Sequence, residues 1–135
     1  MTMAAIKNFE EIVAWQKARE LSFEVWKLTL ERPFSRDFSL CDQINRATGS
    51  IMDNIAEGFG RGGNKECIQF LFFAKVSADE VSSQLYRALD RDHIRKEVFT
   101  KTKNHVAEVS GLIVGLVKYL QESDFKGIKF NNRTV

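Results

Sequence analysis

The sequence predicts an all-α protein, an antiparallel up-down four-helix bundle. Three observations carry that reading. Apolar residues recur at steps of three and four along four separate stretches, which places each set on one face of a helix. Short turns join the stretches, so neighbours run antiparallel. The 135-residue chain holds one proline, Pro33, and no segment alternates apolar and polar residues long enough for a strand. The expected helices cover about 10–31, 39–58, 65–90 and 95–122, followed by a polar tail at 123–135, in one domain.

In the first helix Ile12, Trp15, Ala18, Leu21, Val25 and Leu28 make an apolar face, and Phe23, Trp26 and Leu30 make a second. A single-faced surface helix does not need two. Either the core face is wide, or one face packs on another subunit. Arg32-Pro33-Phe34 ends the helix, because the residue before a proline avoids the helical region.

The second helix carries two stripes. Leu40, Ile44, Ala47, Ile51 and Ile55 form its core face. Gln43, Arg46, Ser50, Asn54 and Glu57 recur beside it as a row of hydrogen-bonding side chains. Ser39 with Asp42 reads as a capping box, and Gly58 with Gly60 as the stop. The glycine-rich Phe59-Gly-Arg-Gly-Gly-Asn-Lys65 is not a phosphate-binding loop. A helix precedes it, the glycine spacing is wrong, and Glu66 follows Lys65. It reads as a turn, with Asn64 capping the third helix.

In the third helix Cys67, Leu71, Ala74, Ala78, Val81, Leu85 and Ala88 face the core, and Phe70, Phe72 and Phe73 widen that face at one end. Such an aromatic cluster is either deep core or an intersubunit contact. Ser77, Glu80 and Gln84 form a polar row facing that of the second helix, and pairing of Arg46 or Asn54 with Glu80 is expected, since buried polar groups need partners. In the fourth helix Phe99, Thr102, Val106, Val109, Ile113, Leu116 and Leu120 follow a heptad seam. Gly111 and Gly115, on another face, leave room for a close neighbour at a propensity cost of about 1 kcal/mol each.

Composition bounds the function. Hydrophobic residues make 44% of the chain and charged residues 28%, as in an ordinary globular domain, and the net charge is only +2. Cys41 and Cys67 fall at opposite ends of an antiparallel helix pair, too far apart for a disulfide, which suits a reducing cytoplasm. No apolar run reaches the roughly 18 residues of a membrane span, and no leader is visible at the amino terminus. His93 and His105 lack the Glu-x-x-His spacing of a di-iron bundle, and two separated cysteines make no zinc site, so no metal or cofactor is expected. No nucleophile, base and orienting group fall together. A facing pair of Glu57 and Glu80 is the one catalytic alternative. The basic positions Arg46, Arg61, Lys65, Arg91, Arg95, Lys96, Lys101 and Lys103 are the candidates for phosphate contact, densest in Arg91-Asp-His-Ile-Arg-Lys96.

Phe9-Glu-Glu-Ile-Val-Ala-Trp-Gln-Lys-Ala18 resembles the opening of the bacterial four-helix-bundle family of the 23S rRNA intervening-sequence protein. Gln43-Ile-Asn-Arg-Ala47, Ser50-Ile51 and Asn54-Ile-Ala-Glu-Gly58 match its signature region, and Lys65-Glu66, Phe70-Leu71, Ala74, Ser77, Glu80 and Gln84-Leu85 extend the match through the third helix. Met52-Asp53 replaces a frequent Pro-Ser, and Asn45 a common second arginine, which weakens the nucleic-acid reading at that position. The resemblance implies a ring-like homopentamer and, through related retroelement accessory proteins, binding of RNA or other nucleic acid and of a protein partner such as a reverse transcriptase. Without a nucleic-acid role, the alternative is a protein-interaction scaffold.

Overall fold

The computed structural model describes residues 6–134, with the backbone alone over 124–134. The first five residues, part of the segment read above for a leader, lie outside it. Four helices follow one another: α1 (Val13–Thr29), α2 (Phe38–Gly60), α3 (Asn64–Asp90) and α4 (Lys96–Thr134). One 3-10 turn, Phe9–Glu11, precedes α1, and another, Phe34–Arg36, precedes α2. The helices pack α1 on α2, α2 on α3, α3 on α4 and α4 back on α1, so α1 and α3 lie on the diagonal of an up-down bundle.

The predicted core faces close on one another. Leu21, Val25, Leu40, Ile44, Ile51, Ile55, Leu71, Val81, Leu85, Val109 and Ile113 are all buried, and Phe34 plugs the end at the α1–α2 connection. Each such side chain stabilises the fold by roughly 1.5–3 kcal/mol relative to exposure. The seam of α4 drifts off the strict heptad at its far end, where Val117 is buried and Leu116 only partly so. A straight helix repeats at 3.6 residues per turn, and the register shifts accordingly.

Several expectations at the helix ends are corrected. The cap of α2 is Asp37, whose Oδ1 accepts the Leu40 N–H at 3.3 Å, rather than the Ser39/Asp42 box. Gly63 occupies the N-cap of α3, and Asn64 is its first residue, its amide donating to the Leu120 carbonyl at 3.4 Å. Gly58 and Gly60 do not stop α2. The helix runs through both and closes at Arg61, and the turn is made at Gly62 with φ of +81°. The backbone of α4 continues through the polar tail to Thr134. That stretch contains no proline to interrupt the backbone ladder.

Gly58 has a different task. A Cβ built there would lie 2.9 Å from the Phe70 Cβ and 3.2 Å from the Cys67 carbonyl oxygen. The α2 and α3 backbones approach too closely at this level for any side chain. Gly111 and Gly115 are the opposite case: among the described residues, nothing outside the local helix comes within 4 Å of a Cβ at either.

Candidate nucleic-acid interface

One end of the bundle gathers the α1–α2 connection, the start of α2 and the α3–α4 turn. Asp37 organises it. Its Oδ2 accepts from His93 Nε2 and from Arg91 Nη1, each at 2.8 Å. These bonds, the histidine first, pull its pKa down from the usual carboxylate range to about 2. The His93 ring stacks on Phe34, centroids 5.2 Å apart, and its side chain is only 12% exposed. Asp92 takes a positive φ of 58° to turn the chain into α4. A cleft of about 740 Å³ opens beside this cluster, lined by Arg32, Pro33, His93, Arg95 and Lys96, with Glu31, Asp92 and Glu97 among them. Among the described residues, Arg32, Arg95 and Lys96 have no carboxylate within 4.0 Å.

The predicted basic residues are not brought to one place. Arg91, Arg95 and Lys96 meet at this end, with Lys101 and Lys103 on the first turns of α4. Lys103 sits over the Tyr86 ring at 5.0 Å. Arg61 and Lys65 lie at the other end of α3, about 40 Å away at 1.5 Å per residue. Arg61 is held by Glu57 at 2.7 Å and covers the Phe70 ring at 4.9 Å. Arg46 lies between the ends and pairs with Asp42 at 3.2 Å. Asp37 and Arg32 went unpredicted. Asp37 carried a signal in the sequence, since it stands directly before the amphipathic stretch of α2.

The polar rows of α2 and α3 meet, with partners other than those expected. Ser50 Oγ and Ser77 Oγ share a hydrogen bond of 2.9 Å, and Arg87 Nη1 donates to Gln43 Oε1 at 2.9 Å. Arg46 and Asn54 do not reach Glu80. The Asn54 amide folds back onto Ser50, and Glu80 accepts from Gln84 within its own helix. Glu57 and Glu80 do not face each other either. Gly58 lies against Phe70, so Glu57 is level with the start of α3, and Glu80 is about 14 Å further along. A second polar contact joins α1 to α4: Thr102 Oγ1 donates to Glu24 Oε1 at 3.2 Å, and His105 Nδ1 bonds the other oxygen.

Both thiols are free. Burial pushes the pKa of each up, which keeps them protonated at neutral pH and weak as nucleophiles. Among the described residues no three His, Cys, Asp or Glu side chains converge as a metal site, and no helix is long and apolar enough to cross a membrane.

The family model of the 23S rRNA-intervening sequence protein matches residues 10–115, the greater part of the chain. The chain belongs to this family. A solved structure described as a protein of unknown function from the S23 ribosomal protein family, from Bacteroides thetaiotaomicron VPI-5482, superposes with a TM-score of 0.72 at 23% identity. The superposition covers 78% of this chain and 99% of that one, so the two share the four-helix fold. No match was found among curated proteins. Within this family member, the Asn54-Ile-Ala-Glu-Gly58 segment now has physical content: Ile55 is core, Asn54 braces Ser50, Glu57 holds Arg61, and Gly58 admits α3.

Proposed function

We propose that this protein is a non-catalytic homo-oligomer, a pentameric ring in keeping with the family resemblance, that binds RNA or other nucleic acid through the α3–α4 end of each bundle. A link to 23S rRNA intervening sequences or to a retroelement follows from the same resemblance. The observation that supports it most directly is the cleft where Arg32 joins Arg95 and Lys96 without carboxylate partners. The acidic residues beside them hold the attraction of one subunit to a modest level. Repetition around a ring turns several weak sites into useful avidity.

Arg91 is a poor probe of this surface, because it holds Asp37. Arg95→Glu with Lys96→Glu tests it. Titrating labelled single-stranded RNA against wild type by fluorescence anisotropy is expected to give affinity that falls steeply with salt. The double variant should lose at least tenfold, with helicity by circular dichroism unchanged. Equal affinity in the double variant, or binding indifferent to salt, refutes the reading.

The exposed aromatic residues of α1 favour a second reading, a scaffold that docks proteins without touching nucleic acid. In that case wild type shows no RNA affinity, and its assembly survives the double substitution.

A further inference from the structure

Two large apolar surfaces have no partner among the described residues. The first is a groove of about 940 Å³ along the α1–α2 edge, whose walls include Trp15, Phe23, Trp26 and Met52. Phe23 and Trp26 stack at 5.9 Å between ring centroids, yet are 58% and 47% exposed. Leu30 continues the strip, also exposed. Arg19 over the Trp15 ring and Lys27 over the Phe23 ring border it, and Glu10 and Glu20 line it beside them. The second surface is a ridge on α3, formed by Phe72, Phe73 and Val76, the last 64% exposed. Asp79 and Glu80 border it, both exposed, with Lys75 bonded to Asp79 at 2.8 Å.

We infer that the α3 ridge of one copy seats in the α1–α2 groove of the next, a head-to-tail contact between copies of this chain. The inference rests on the oligomer proposed above and specifies its interface. Two features select this occupant. The surfaces differ in shape, one a groove and one a ridge. Finally, α1 and α3 stand on the diagonal of the bundle, so no contact of one surface with itself covers both. A symmetric dimer through either would leave the other bare, whereas a head-to-tail contact covers both on every subunit and closes when the rotation returns to the start.

Complementation distinguishes this arrangement from the alternatives. The experiment uses the full chain, a groove variant (Trp26→Glu) and a ridge variant (Phe73→Glu with Val76→Glu), measured by size-exclusion chromatography with light scattering. All three positions are exposed, so helicity should match wild type. Each variant alone is expected at the chain mass of 15.5 kDa. An equimolar mixture should run at twice that mass, because the intact ridge of one variant fits the intact groove of the other and nothing can add further. If both variants fold as monomers and the mixture stays monomeric, the head-to-tail contact is wrong. If either variant keeps the wild-type mass, its surface is not the interface. A wild-type monomer overturns the oligomeric reading itself, and this inference with it.

Discussion

Alanine at two glycines of α2 should move stability in opposite directions, although the chemical change is the same. Gly49 and Gly58 both lie within the helix, neither with positive φ. At Gly49, among the described residues, nothing outside the local helix backbone lies within 4 Å of the new Cβ. Only the propensity term acts, and Gly49→Ala should stabilise by about 0.5–1 kcal/mol. At Gly58 the same gain is offered, but the Cβ arrives 2.9 Å from Phe70 Cβ and 3.2 Å from a backbone oxygen. Neither is the far end of a flexible side chain, so α2 and α3 must separate. Overpacking of this kind costs about 1–3 kcal/mol. The net for Gly58→Ala is a loss of about 0.5–2 kcal/mol. Thermal unfolding at one fixed protein concentration reads both, since oligomers make Tm concentration-dependent. At this size 1 kcal/mol moves Tm by roughly 3–5 °C. Gly49→Ala should rise by a few degrees and Gly58→Ala should fall. If Gly58→Ala is as stable as Gly49→Ala, the close approach of α2 and α3 is not the reason for that glycine.

Two further outcomes follow from the polar contacts. Asp37 has a lowered pKa, so its contribution is present above the unfolded value near 4 and is lost as pH falls toward about 2. Allowing for partial solvent screening, about 1–2 kcal/mol should separate wild type from Asp37→Asn at pH 6 and vanish near pH 2 in urea titrations. A gap that stays constant across that range removes the Asp37–His93–Arg91 cluster as its source. For the cross-helix hydroxyl pair, a double-mutant cycle over Ser50→Ala and Ser77→Ala should give a coupling of about 0.5–1.5 kcal/mol, and strict additivity would mean the two hydroxyls do not interact.

The sequence by itself determined the helices and their core faces, because a 3.6-residue period of apolar side chains is a local signal. Every residue assigned to the α2 and α3 core stripes is buried. It also exposed a surplus, the second face of α1, which the fold leaves exposed among the described residues. What the period could not determine is which polar group meets which. Ser50 finds Ser77, and Asp37 finds Arg91 and His93 more than fifty residues away, because helix rotation and height in the bundle set those meetings. The same holds for charge: of eight basic positions read as one candidate set, seven divide between two ends of a bundle about 40 Å apart, and Arg46 lies between them. Gly58 shows the limit most clearly. In the sequence it marks a helix end, and only the approach of a second backbone reveals that its missing side chain is what lets α3 close on α2.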